Sequence, residues 1–385
     1  MPAFSPSRLT LMYHPASFTP TSQPMIPENQ PKDAIARLGG PEGAEDLRRA
    51  LGDWFRREAR EYPWRKTRDP YSILVSELML QQTQIATVLG RGYYDRWMRR
   101  FPDWASLAEA PEEAILKLWE GLGYYNRARN LQRTAVIIQR DYDGRFPDAL
   151  SPALSLPGIG RYTAGAVLSF AYGIAVPLVD GNVARVLARL LALETPIDSP
   201  KGLKTLWEWS GQLLDQRNPA THNSALMELG QRICRPSRPE CGDCPVAAHC
   251  LSHRHGLTSE LPHKTKTQTL TKRVERVLLA ERQGRVHLCP ESGSRRQGLW
   301  RLPEIPEEES SDLPELLRFE YAITRYRVTL IVHEAPAGWQ PDENAPRPGA
   351  WFRRDAPGDL PPLGSPYRRA LELYSDSREG LDLRG

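Results

Sequence analysis

The spacing of apolar residues changes once along this chain, and that change limits the fold more than any other feature. From Ala44 to about residue 250, apolar positions recur at helical intervals and no segment alternates as a strand does. Beyond the polar stretch SHRHGLTSELPHKTKTQTLTK (252–272), the segments RVERVLLAE, RVHLC and YRVTLIVHEA carry the β-branched, alternating pattern of strands. The chain is therefore expected to be mainly α: an all-helical domain over 46–251, a linker over 252–272, and a small α/β domain over 273–385. A length of 385 residues has room for both. Residues 1–45 are rich in Pro, Ser, Thr and Gly, lack periodicity, and are expected to be disordered.

Within the helical part, EDLRRALGDWFRREAREY runs to Pro63-Trp64. Asp69-Pro70 then supplies an N-cap and first helical residue for the helix YSILVSELMLQQTQIATVL, which carries Glu77. Further helices start at Pro111, stop at Gly121-Leu122-Gly123, and resume through NRARNLQRTAVIIQR to Asp143-Gly144. In the C-terminal part, short helices are expected near LPELLRF and SPYRRALELY, with a Pro-rich loop over 336–349. The net charge of +4 is compatible with nucleic acid and does not by itself argue for it. No apolar run has the length of a membrane span, and the N-terminus lacks a continuous apolar segment of signal type. A cytoplasmic protein with no membrane partner is the expectation.

Three local patterns bear on chemistry. Leu156-Pro157-Gly158-Ile159-Gly160 joins two helices, and its glycines allow a turn whose backbone N–H groups cradle one phosphate. Taken alone, it reads more readily as an ordinary helix–helix turn. Asp180, in VPLVDGNVARVLARL, stands just before a helix. It is an N-cap, and also a carboxylate held ionised by the helix dipole. Four of the five cysteines, Cys234, Cys241, Cys244 and Cys250, fall within 17 residues as C-x6-C-x2-C-x5-C. In a reducing compartment that spacing admits a four-thiolate zinc site or a [4Fe–4S] cluster. Cys289 stands apart in a strand.

LPGIGRYTAGA followed by DGNV resembles the helix-hairpin-helix DNA glycosylase superfamily. With PWR (63–65), SELMLQQTQ (76–84), LWEGLGYYNRARNL (118–131) and ALMELGQRIC (225–234), the chain resembles the adenine-specific mismatch glycosylase (MutY) family. The resemblance is close over residues 46–255 and loose beyond. It implies base-excision repair: hydrolysis of the N-glycosidic bond of adenine mispaired with 8-oxoguanine or guanine in double-stranded DNA. It implies a monomer acting in the cytoplasm on the nucleoid. It favours [4Fe–4S] over zinc on the four cysteines, in a loop whose Arg232, Arg235 and Arg238 meet phosphates, and a Nudix-like C-terminal domain that inspects the opposite base.

The chemistry can be read beside the resemblance. Adenine leaves poorly as an anion, so a general acid must protonate it. Glu77 has Ile73, Leu74 and Leu80 at helical spacing, and an apolar surround raises a carboxyl pKa. The resemblance gives Glu77 that role, puts Asp180 beside the sugar cation, and has Tyr162 and Asn182 support the sugar and Asp180. It also has Gln82 and Tyr124 wedge into the base stack, with Thr83 close to the opposite base, and Gly158 and Gly160 at the DNA backbone. In relatives that cleave the strand, a lysine stands where this chain has Tyr162, and no lysine occurs between Lys117 and Lys201. A monofunctional enzyme is expected rather than a lyase. GLWRLPE (298–304) matches the family's Trp-x-x-Pro element, whereas Ile323-Thr324-Arg325 stands where the family has Phe-Ser/Thr-His. Thr324 retains the hydroxyl that reads oxidised guanine. Other readings are a thymine or uracil glycosylase for G·T or G·U mismatches, and a lesion-binding protein with weak catalysis.

Overall fold

Asp69 starts the central helix as its sequence context predicts. Its carboxylate accepts from the backbone N–H groups of Tyr71 and Ser72 at 3.2 and 3.0 Å, with Pro70 in the first turn. The helix Pro70–Leu80 is buried nearly all round, so it runs through the middle of the domain. The computed structural model describes residues 33–265, 270–293, 296–323, 325–342, 347–354, 356 and 358–382. Thr324 lies outside these residues, as do residues 1–32.

Two apolar clusters build the helical domain. One is formed by residues between Tyr62 and Val176, around Trp97, Trp119 and Leu74. The other combines the N-terminal segment (Ala34 to Trp54) with Ala166 and residues from Leu178 to Val246. The expected disorder over 1–45 is therefore corrected from residue 33 onward. Helices Ala34–Arg37 and Pro41–Glu58 form there, with Ala34 and Ala44 fully buried against the second cluster. The expected linker is also corrected at its start. Leu251–Arg254 is helical, and Leu257 and Leu261 are buried with Ala192. The Ile197 N–H donates to the His263 carbonyl at 3.0 Å, which ties the segment to the helical domain.

The single helix expected over YSILVSELMLQQTQIATVL is two. It ends at Leu80, Gln81 is extended, Gln82 has φ +57°, and a new helix runs Ile85–Gly90. The cause lies outside the segment: the Arg127 guanidinium takes the carbonyls of Leu78, Met79 and Gln81.

Beyond residue 270 the fold is mixed α/β. Strands β1 (Thr271–Leu279), β6 (Tyr326–Glu334) and β5 (Glu315–Ile323) form one sheet, with β1 parallel to β6 and β5 antiparallel to it. Strands β2 (Glu281–Arg282), β3 (Arg285–Pro290) and β4 (Trp300–Arg301) form a second with β7 (Ala350–Arg353), which pairs with β3. LPELLRF, expected to be helical, is corrected to a strand: Leu317, Phe319 and Tyr321 pack at every second position on the apolar cluster of this domain. Helix Ser365–Asp382 covers that cluster through Tyr367, Ala370, Leu371 and Tyr374.

The two domains are fastened together. Leu299, just before β4, is buried in the first helical cluster. The Tyr125 hydroxyl donates to the Leu363 carbonyl at 3.0 Å, and Arg368 pairs with Glu120. Among the described residues, no helix is long and apolar enough to cross a membrane.

Candidate active site

Glu77 lies midway along the Pro70–Leu80 helix and is 5% exposed. The Tyr162 hydroxyl donates to its Oε2 at 2.7 Å and lies 3.9 Å from the Met227 sulfur. Burial pushes the Glu77 carboxyl up to about 7. The Tyr162 hydrogen bond and the Arg65 charge oppose that rise, and the Asp180 charge adds to it. Burial also holds the Tyr162 hydroxyl well above its ordinary range, so it stays a neutral donor.

Asp180 caps helix Gly181–Leu190 by accepting from the Val183 N–H at 2.7 Å. Its other oxygen accepts from Asn182 Nδ2 at 2.8 Å. The capping expectation holds, but the carboxyl is not depressed: burial raises it, against the lowering effect of the Val183 and Asn182 bonds and the Arg185 charge. Arg185 ties this cap to the cysteine loop. Its Nη2 donates to Asn182 Oδ1 at 2.9 Å and to the Gly230 carbonyl at 2.8 Å, and its Nε donates to the Cys234 carbonyl at 2.8 Å. Gly230 must be small, because a Cβ there would stand 2.7 Å from that of Asn182.

The hairpin lies between helices Leu150–Leu154 and Arg161–Tyr172. Gly158 has φ +74°, and a Cβ on it would meet Asn130 Nδ2 at 2.6 Å. Gly158 and Gly160 are exposed, and Gly160 caps the second helix. Gln82 and Tyr124 are also exposed, at the tips of two loops, and both are left-handed (φ +57° and +48°). Such backbone strain in non-glycine residues concentrates where chains do work. Thr83 is half-buried beside Gln82. These loops, Gly158, Arg296, β5 (Phe319, Tyr321, Ile323) and Arg369 line an interdomain groove of about 690 Å³. Glu77, Tyr162 and Asp180 are not among its walls.

Cys234, Cys241, Cys244 and Cys250 line one small cavity of about 30 Å³. None is in a disulfide, and Arg189 Nη1 lies 3.5 Å from the Cys234 sulfur. Burial pushes the Cys244 thiol up to about 12 and that of Cys250 to about 11, so thiolates there require a compensating cation. Among the described residues no group of three or more His, Cys, Asp or Glu side chains is set to hold a single metal ion. Of the arginines expected to meet phosphates, Arg232 is paired with Glu228 and Glu58, and Arg235 with Glu240.

Sequence reasoning missed Arg127, Arg185 and Met227. Arg127 carried a signal: it stands at helical spacing from Leu131, Thr134, Ala135 and Ile138, all buried, so it lies on an apolar stripe.

A hairpin joining two helices, a buried acid and a second carboxyl at a helix start thus stand together in one helical domain. Residues 75–212 match the family model "HhH-GPD superfamily base excision DNA repair protein". The chain is 43% identical to the adenine DNA glycosylase of Rattus norvegicus over 228 residues, covering 56% of this chain and 44% of that protein. It is 38% identical to the adenine DNA glycosylase of Homo sapiens over 282 residues, 69% of this chain and 51% of that one. The chain thus spans about half the length of these curated relatives. Among solved structures, a thermostable thymine-DNA glycosylase superposes with a TM-score of 0.51 at 29% identity, covering 58% of this chain and 99% of that one.

Proposed function

We propose that this chain is an adenine DNA glycosylase of base excision repair, acting on adenine opposite 8-oxoguanine or guanine in duplex DNA. The observation that carries the reading is Glu77: a buried carboxyl, raised to about 7, bonded to Tyr162 and electrostatically coupled to Asp180. At neutral pH a large fraction of such a group is protonated and can act as an acid.

The target adenine is turned out of the stack. Glu77 delivers its proton to a ring nitrogen as the bond between C1′ and the base breaks, and the bonding electrons leave with the base. Asp180, as carboxylate, stabilises the cationic sugar, and water completes the hydrolysis at C1′. Asn182 and Arg185 fix the Asp180 carboxylate. Tyr162 offers no amine, so no Schiff base forms and the strand is left intact.

Gly158 and Gly160 hold the DNA backbone, while Gln82 and Tyr124 fill the space the base leaves, with Thr83 beside the opposite base. The α/β domain acts as a Nudix-like reader whose β5 face borders the groove. The four cysteines hold a [4Fe–4S] cluster, whose contribution is to close the loop 234–250 rather than to react. The protein works as a monomer in the cytoplasm. Identity to adenine DNA glycosylases supports adenine over the thymine reading suggested by the solved relative.

The test is base release from labelled duplexes holding 8-oxoguanine·A, G·A or G·T, followed by alkali. Cleavage after alkali is expected for the two adenine duplexes. Release from G·T alone would overturn the adenine reading, and cleavage without alkali would overturn the monofunctional one.

A further inference from the structure

Arg127 is 8% exposed, and burial lowers it to about 10, so it stays charged at neutral pH. Its Nη1 donates to the carbonyls of Leu78 (2.5 Å), Gln81 (2.6 Å) and Met79 (3.2 Å). Its Nη2 donates to those of Leu122 (2.9 Å) and Gly123 (3.0 Å). One guanidinium thus grips two chain segments about forty residues apart in sequence, from the helix end at Leu80 and from the loop before Tyr124.

Two of these carbonyls have a particular place. Gln81 and Gly123 immediately precede Gln82 and Tyr124, the two exposed left-handed residues. A residue's φ is measured from the peptide plane before it, and a positive φ is costly because that carbonyl crowds Cβ. Holding the carbonyl oxygen therefore holds the costly torsion. The guanidinium also lies 5.5 Å from the centroid of the Tyr124 ring and 5.2 Å from that of Trp119. Its Nε is buried with no partner, so the side chain is placed for the two loops rather than for its own full complement of bonds.

We infer that Arg127 is a positioning residue that couples Gln82 and Tyr124 into one wedge, so that both enter the duplex together. The inference rests on the glycosylase reading above. A lysine, with three donors on a single point charge, keeps the charge but cannot span both segments.

The test compares the unmodified protein with Arg127→Lys on two duplexes. In one the target adenine is fully stacked; in the other it lies in a small internal loop where stacking is already lost. A 2-aminopurine beside the target reports unstacking by its fluorescence. Arg127→Lys is expected to lose about tenfold or more in single-turnover rate and most of the fluorescence rise on the stacked duplex, and less than about twofold in rate on the loop substrate. Equal loss on both substrates, or no loss on either, would overturn the inference. Should Arg127→Lys fail to fold, a cycle of Gln82→Ala, Tyr124→Ala and the double variant decides instead. Shared holding predicts that the second substitution costs far less once the first is made, and additive losses would sink it. If the unmodified protein releases no adenine from either duplex, the glycosylase reading fails, while the fluorescence comparison still reports on the wedge.

Discussion

At the scale of single residues, Glu77 makes the sharpest predictions. Its folded value of about 7 lies above the ordinary carboxyl value of 4.5, so the folded protein binds this proton more tightly than the unfolded chain. The stabilising contribution is complete below the unfolded value and is lost as pH rises through about 7, an effect on the order of 3 kcal/mol. Glu77→Gln is accordingly expected to raise the melting temperature at pH 8, to leave it little changed near pH 4, and to abolish base release; calorimetry at the two pH values and a single-turnover assay read all three. The rate of the unmodified enzyme should fall as pH rises through 7, because the acid is then spent. Tyr162→Phe removes a hydrogen bond that lowers Glu77, so the midpoint of its pH–rate profile should move to higher pH. Asp180→Asn keeps an amide that caps helices as well as the carboxylate does, so the melting temperature should hold within a few degrees while the rate falls by roughly a hundredfold or more. An Asn variant with full activity would remove Asp180 from the chemistry.

Among the elements, the loop 234–250 rests on its cysteines. It contributes one fully buried apolar residue, Val246, to the second helical cluster and is otherwise short turns. Stripping the proposed iron–sulfur cluster by prolonged chelation should therefore abolish visible absorbance and weaken duplex binding, measured by fluorescence anisotropy, while far-UV circular dichroism stays largely helical. The same scale shows what the residues alone could reveal. Asp69 and Asp180 announced their helices because a cap is a local matter, decided within four residues. The break at Gln81–Gln82 was invisible, since nothing in LMLQQTQ opposes a helix and the cause is a guanidinium from position 127. LPELLRF was misread for a similar reason: leucine and glutamate favour a helix, and pairing with β6 overrode that preference. At the site, Glu77, Asp180 and the cysteines were legible as residue types, whereas the links through Arg185 and Arg127 depend on contacts the chain makes only when folded.

For the whole molecule, the joint between domains sets behaviour. Leu299 plugs the first helical cluster from the α/β side, so the two domains should melt as one. Leu299→Asp places a charge in that core and is expected to split the calorimetric trace into two transitions, whereas a single unshifted transition would show the joint to be held elsewhere. The two helical clusters have a consequence for the order in which the chain can mature. Glu77 sits on the buried Pro70–Leu80 helix, which packs in the cluster built mainly from residues between Tyr62 and Val176, a stretch that can collapse while the rest is still being synthesised. The N-terminal helices find their partners only after residues from Leu178 onward have emerged, and those residues follow directly from the segment that carries Asp180 into its helix. Of the two carboxyls proposed to act together, Glu77 is thus in place before Asp180, and the pair exists only once the chain's beginning and its later half have closed on each other. A nascent or truncated chain would hold half of the blade.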